Sequence, residues 1–202
     1  MFELLMSGGW LMVPIIVCSI ISLAVVGERF WSLNDRKIIP EKLLPSVWKL
    51  YKANQLDESK INSLSESSPL GRVLASGLRN QSHGRDIMKE SIEEVGRQVV
   101  HQLEKYLNVL ATIASITPLL GLLGTVVGMI KVFADIMVHG VGDPGILAGG
   151  ISQALMTTAA GLTVAIPTLM FYRYFRARVD EIVLKMEGEA VKMVEMMHGE
   201  RD

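Results

Sequence analysis

Two long stretches without a charged side chain constrain this chain more than anything else in it. Leu107–Ile130 and Pro144–Tyr172 contain no Asp, Glu, Lys or Arg, and a short break holding Lys131, Asp135, His139 and Asp143 lies between them. Each stretch exceeds the ~20 residues that carry a helix across a bilayer. Both are rich in Gly, Ala, Thr and Pro, which lipid-facing helices do not need and closely packed ones do. The expected core is a membrane helix hairpin. A third uncharged run, Leu4–Gly27, precedes it. Only Glu3 stands ahead of that run and Glu28-Arg29-Phe30-Trp31 follows, so it lacks the basic start and small-residue end of a cleaved signal. It reads as a retained span, with Trp10 and Trp31 suited to the two interfaces.

The charge pattern sets an orientation. Arg29, Arg36 and Lys37 follow the first run, and Arg173, Arg176 and Arg178 follow the third. Basic residues favour the cytoplasmic side, which places the N-terminus outside and the C-terminus inside. The expected divisions are a first span with its N-terminus periplasmic (1–29), a cytoplasmic helical region (30–106), a second span (107–134), a periplasmic turn (135–146), a third span (147–172) and a cytoplasmic helical tail (173–202). The fold class is an all-α membrane protein with three transmembrane helices, two of them long and extended into a cytoplasmic helical bundle.

Amphipathic spacing supports the extensions. Met88, Ile92, Val95, Val99 and Leu103 recur every three or four residues, and so do Val179, Ile182, Met186, Ala190, Met193 and Met197. With no turn signal before Leu107, one helix is expected over about 86–134. A second, over about 147–197, would be roughly 75 Å long. Each apolar stripe calls for a partner helix and hence for oligomerisation. Glu181 and Lys185 are placed to pair on the outer face. Between the spans, Pro40 and Pro69 read as helix starts, Ser63–Ser68 as a polar loop, and Trp48, Leu50 and Tyr51 as local core.

Composition excludes several functions. A net charge of −1 offers no basic field for nucleic acid, and a mean hydropathy of +0.35 fits contact with a lipid bilayer. Cys18 is the only cysteine, so no internal disulfide or cysteine metal site forms, and the four His lack ligand spacing. No nucleophile–base set or phosphate loop is present; G-L-L-G-T-V-V-G lacks the required Lys. The expectation is a non-enzyme without cofactor or metal.

The hairpin carries the candidate chemistry. Thr117, Pro118, Gly121, Gly124, Thr125 and Gly128 cluster on the second span, with Gly124 and Gly128 spaced G-x-x-x-G. On the third, Ala154, Thr158, Gly161 and Ala165 make a matching small-residue face, beside a strip holding Gln153 and Thr157. Pro118 and Pro167 each free a backbone carbonyl and allow a bend. Packing accounts for most single hydroxyls. The concentration of Thr125, Gln153, Thr157 and Thr158 is the argument for a polar pathway, since polar groups at membrane depth pair or face a cavity. Neither span has a central Asp or Glu, and Thr and Gln do not titrate near neutrality. Proton passage would therefore need a carboxylate from another subunit.

Ala114–Gly128 (ASITPLLGLLGTVVG) and Ile151–Pro167 (ISQALMTTAAGLTVAIP) resemble the signature blocks of the ExbB/TolQ/MotA proton-channel family, closest to ExbB and TolQ. The resemblance implies a homopentameric ring in the cell inner membrane of a Gram-negative bacterium. The ring would enclose the membrane helices of an ExbD-like or TolR-like partner whose membrane Asp carries the proton, with work delivered through a TonB-like or TolA-like protein. Thr125 and Thr158 match the family's pore threonines, and Gln153 stands where many ExbB proteins carry a Glu. Two other readings are a passive membrane scaffold and a flagellar-stator-like subunit; stators have four spans and this chain has room for three.

Overall fold

The computed structural model describes residues 9–140 and 144–199. Its elements in order are α1 (Met12–Ser32), α2 (Asp35–Ile38), α3 (Leu43–Lys52), α4 (Glu58–Ser67), α5 (Pro69–Arg79), a 3-10 turn (Gln81–His83), α6 (Arg85–Leu103), α7 (Leu107–His139) and α8 (Pro144–Met197). No strand occurs among the described residues. Three helices are long and apolar enough to cross a membrane: Met12–Ser32, Leu107–Val138 and Leu147–Met197. Two compact units divide the chain, one of residues 1–28 and 106–174, the other of residues 29–105 and 175–202.

The first unit holds the apolar spans. On α1, Met12, Ile15, Ser22 and Val26 are buried at helical intervals, while Val13, Val17, Ile20 and Leu23 are exposed on other faces. Cys18 is a free, half-buried thiol. On α7, Leu119, Leu122, Val126, Ile130 and Phe133 are exposed, and on α8 so are Leu155, Ile166 and Met170. Such apolar exposure on every span is what a hydrocarbon surrounding or a further helix tolerates and water does not. Both α7 and α8 continue through their internal prolines, Pro118 and Pro167. Residues 141–143 of the expected turn lie outside the described residues. On either side, α7 extends to His139 and α8 begins at Pro144, so the helices reach further than the expected limits at 134 and 147. Pro at the first helical position suits that start.

The second unit is built around α5. Ser68 caps it by accepting from the Gly71 N–H at 3.0 Å, with Pro69 at the first position, as the sequence indicates. Leu70, Val73, Leu74, Ala75 and Leu78 are all buried. Gly77 lies where α6 and α8 converge on α5: an added Cβ would fall 2.7 Å from Met193 Cε and 2.8 Å from Ile92 Cδ1. Met88, Val99 and Leu103 of α6 and Val179, Ile182, Met186, Ala190 and Met193 of α8 are buried. Part of each amphipathic stripe is thus covered within the chain.

Four local expectations need correction. The helix expected over 86–134 is interrupted: α6 ends at Leu103, and Tyr106 takes the left-handed conformation (φ 66°) before α7 starts. That conformation costs a non-glycine residue about 1–2 kcal/mol. Ser63–Ser68 is largely helical, because the Asp57 carboxylate accepts from the Lys60 N–H at 2.9 Å and starts α4. Pro40 does not open a helix; α3 begins at Leu43, whose N–H bonds to the Pro40 carbonyl. Finally, Leu44 and Val47 are the buried residues of α3, while Trp48 and Tyr51 stack on each other half-exposed, 5.4 Å between ring centres.

Ionic contacts brace the second unit. The Glu181–Lys185 pair forms at 2.7 Å and extends to Arg178 and Asp35: Lys185 lies 3.2 Å and Arg178 2.8 Å from the Asp35 carboxylate. Hydrogen bonds from Lys185 and then Arg178 hold the Glu181 carboxyl below the usual carboxylate range. The bond to Glu181 raises both cations above their ordinary values, with Asp35 adding to it. The guanidinium of Arg29, 3% exposed, donates to the Leu103 carbonyl at 3.0 Å, where the end of α6 leaves carbonyls without helical partners.

Candidate functional site

The α7–α8 hairpin closes along an antiparallel seam of small residues. A Cβ on Gly161 would lie 2.5 Å from the Thr117 carbonyl oxygen, and one on Gly121 would lie 2.9 Å from the Thr158 Cα. Further along, Gly124 faces the Thr157 side chain at 2.5 Å, Gly128 faces the Ala154 Cβ at 2.8 Å, and Gly150 faces Val132. Contacts this short leave no room for any side chain, so glycine is what lets the backbones approach. Thr117, Thr157 and Ala154 are buried, at 0%, 1% and 3% exposure.

The hydroxyls divide into two kinds. Thr158 Oγ1 donates across the seam to the Gly121 carbonyl at 2.8 Å. Thr117 donates to Ile113, Thr125 to Leu122 and Thr157 to Gln153, each to a carbonyl of its own helix at 2.7–2.9 Å. A threonine hydroxyl has one proton to give and two lone pairs to receive with. With the proton committed to a carbonyl, what the Thr125 and Thr158 hydroxyls still offer is acceptance.

Of the predicted pathway residues, the structure brings Thr157 and Thr158 onto the seam, against Gly124 and Gly121. Thr125 sits one position off it and is half-buried. Gln153 is one turn before Thr157 and reaches toward α1: a Cβ on Gly9, whose φ is +74°, would lie 2.5 Å from Gln153 Nε2. A space of about 10 Å³ beside them is lined by Gly9, Trp10, Gly124, Gly128, Lys131 and Gln153. The predicted packing residues Gly121, Gly124, Gly128 and Gly161 are all buried at the seam, and Pro118 flanks it.

Sequence reasoning missed a second polar contact. Ser22 Oγ on α1 and Thr168 Oγ1 on α8 are 2.8 Å apart, at 6% and 2% exposure, and Thr168 also donates to the Val164 carbonyl at 2.7 Å. A groove of about 160 Å³ beside this pair is lined by Ser19, Ser22, Thr163, Pro167, Thr168 and Phe171. The available signal was phase: Ser22 shares the helical face of Ile15 and Val26, where a polar residue needs a partner.

Comparison with known proteins identifies the hairpin. Residues 65–188 match the model of the MotA/TolQ/ExbB proton channel family. The chain belongs to that family. Its relatives in the family include the putative biopolymer transport protein ExbB-like 3 of Synechocystis sp., 29% identical over 176 residues that cover 85% of this chain and 83% of that one. The putative biopolymer transport protein ExbB-like 1 of the same organism is 31% identical over 83% of this chain and 67% of its own. The biopolymer transport protein ExbB of Helicobacter pylori is 45% identical over 78 residues, 39% of this chain and 54% of that protein. Membership and the three spans make this a multi-pass membrane protein with the general ExbB-type role. The match includes the whole α7–α8 seam, while Ser22 and the rest of α1 precede it.

Proposed function

We propose that this chain is the proton-channel subunit of an inner-membrane motor, and that it acts without enzymatic chemistry of its own. The observation that carries the reading is the hairpin, uncharged over Leu107–Ile130 and Pro144–Tyr172, whose threonine hydroxyls on and beside the seam have their protons committed to carbonyls. Such a hydroxyl receives a hydrogen bond from a protonated carboxyl, whereas a carboxylate has only acceptors and gains nothing from it. Thr125 and Thr158 therefore favour the neutral acid of a partner over its anion and stabilise the proton-loaded state at membrane depth, with Thr157 and Gln153 completing the polar lining. The family supports a homopentameric ring and an ExbD-like or TolR-like single-span partner that brings the membrane Asp. It also supports delivery of the work through a TonB-like or TolA-like protein. The basic residues after α1 and after Tyr172 support a periplasmic N-terminus and a cytoplasmic C-terminus. One elementary charge crossing ~100 mV releases about 2.3 kcal/mol.

The test is gradient-driven proton uptake by vesicles holding this protein with its partner. Thr158→Ser should retain uptake, because the hydroxyl and its bond to Gly121 survive. Thr158→Val should lose it. Normal uptake by an assembled Thr158→Val protein would overturn the pathway role of that hydroxyl, and no gradient-dependent uptake even by the unaltered protein with its partner would favour the passive scaffold.

A further inference from the structure

Residues 29–52 are basic in a protein that is not. They hold six basic and two acidic side chains, against a net charge of −1 for the whole chain. All of them belong to the second unit. Of these, Arg29 is buried on the Leu103 carbonyl, and Asp35 turns to Arg178 and Lys185 at 2.8 and 3.2 Å. Arg36, Lys37, Lys42, Lys49 and Lys52 are exposed, and among the described residues none of them pairs with a carboxylate. Glu41 is the only other acid in the segment.

The pattern is clearest on α3, which has no acidic residue and buries Leu44 and Val47 on one side. Lys42, Lys49 and Lys52 fall on the opposite side at ~100° per residue. A lysine face alone is ordinarily one that water solvates, but here aromatic rings accompany the cations. Lys52 Nζ lies 5.0 Å from the centre of the Trp48 ring, which stacks on Tyr51. Lys37 Nζ lies 3.5 Å from that of Trp31, which is 72% exposed. Indole rings collect where water meets acyl chains, and a lysine stem lies along apolar surface while its ammonium reaches phosphate. The bilayer is near by covalent connection alone. Because α1 runs unbroken to Ser32, Trp31 stands about 6 Å of helix past Gly27, the end of the uncharged run.

We propose that the basic and aromatic face of residues 31–52 is a docking surface for anionic lipid headgroups, of the phosphatidylglycerol type, in the leaflet where α1 ends. Each cation held at an anionic leaflet strengthens association about fivefold. Attachment comes from charge and not from burying apolar area, since the apolar side of α3 is already spent on its own unit. The inference goes beyond the proton reading and does not rest on it.

The experiment places a fluorophore on Ser46→Cys in a Cys18→Ser background, Ser46 being exposed on the lysine side of α3. The full-length protein is put in nanodiscs of phosphatidylcholine alone or mixed equally with phosphatidylglycerol. Both kinds carry the same share of a lipid with a nitroxide on its headgroup. Quenching should be at least about twofold stronger in the anionic discs. It should fall to the phosphatidylcholine level when Lys42→Gln, Lys49→Gln and Lys52→Gln are combined. The same fall should follow, with the lysines intact, from about 1 M salt, where charges act over only ~3 Å. Equal quenching in the two kinds of disc overturns the proposal. A low level in both would mean a face turned to water or to protein, and a high one contact that ignores headgroup charge. Anionic quenching that survives the salt, or that survives in a folded triple variant, overturns it as well. Should the triple variant unfold, the salt arm decides.

Discussion

Gly161→Ala is the sharpest test of the hairpin seam. The added methyl would lie 2.5 Å from the Thr117 carbonyl oxygen and 3.3 Å from the Gly121 Cα and N, all of them backbone atoms that no rotamer change can move. Restoring ordinary contact needs about 1 Å of separation between α7 and α8. The Thr158–Gly121 hydrogen bond, 2.8 Å in the closed seam, would then stretch beyond bonding range. Overpacking of this kind costs about 1–3 kcal/mol, and an interhelical hydrogen bond in a membrane adds about 0.6 kcal/mol. The better helix propensity of alanine returns up to about 1 kcal/mol. The net expectation is a loss of about 1–3 kcal/mol, read as a lower midpoint of thermal unfolding in detergent. Gly149→Ala is the control, because a Cβ there meets nothing within 4 Å; it should be neutral or slightly stabilising. Equal midpoints for the two variants would refute the claim that glycine at 161 sets the approach of the helices.

The Ser22–Thr168 bond predicts a coupling energy of about 0.6 kcal/mol in a double-mutant cycle of Ser22→Ala and Thr168→Val; strict additivity of the two losses would show that the hydroxyls do not interact. The ionic cluster predicts a pH dependence with a definite sign. Because the folded-state pKa of Glu181 is lowered, its contribution is complete above the ordinary carboxylate range and is lost as pH falls through the lowered value. Arg178 and Lys185 are raised, so theirs holds below their ordinary values and is lost only as pH rises through the raised ones. Thermal midpoints should therefore be level near neutrality and fall in acid, less steeply for Glu181→Gln than for the unaltered protein. The cluster is largely exposed, and high salt should flatten the same limb.

The spans were legible in the sequence because a bilayer demands long uncharged runs, and no soluble helix needs Leu107–Ile130 without one charge. The seam was legible too: Gly121, Gly124 and Gly128 recur at intervals of three and four, and so do Ala154, Thr158, Gly161 and Ala165 on the facing helix. Two things escaped. The break before α7 has no local signal, since residues 103–107 contain no Gly, Pro, Asn or Asp, yet Tyr106 takes the left-handed conformation. The hydroxyls named for a proton path could be placed on helices, but not the direction in which each gives its proton. Thr158 reaches across to Gly121 while Thr125 turns back to Leu122, although both are threonines among small residues. The helical Ser63–Ser67 shows the same limit, since a run of serines reads as loop until Asp57 caps it.

The solitary thiol at position 18, half-buried on α1, has a practical use. A nitroxide or fluorophore attached there would report from a single known site, with no other cysteine to remove beforehand. Its collision rate with oxygen or with a water-soluble quencher would tell whether that part of α1 meets acyl chains or a neighbouring helix.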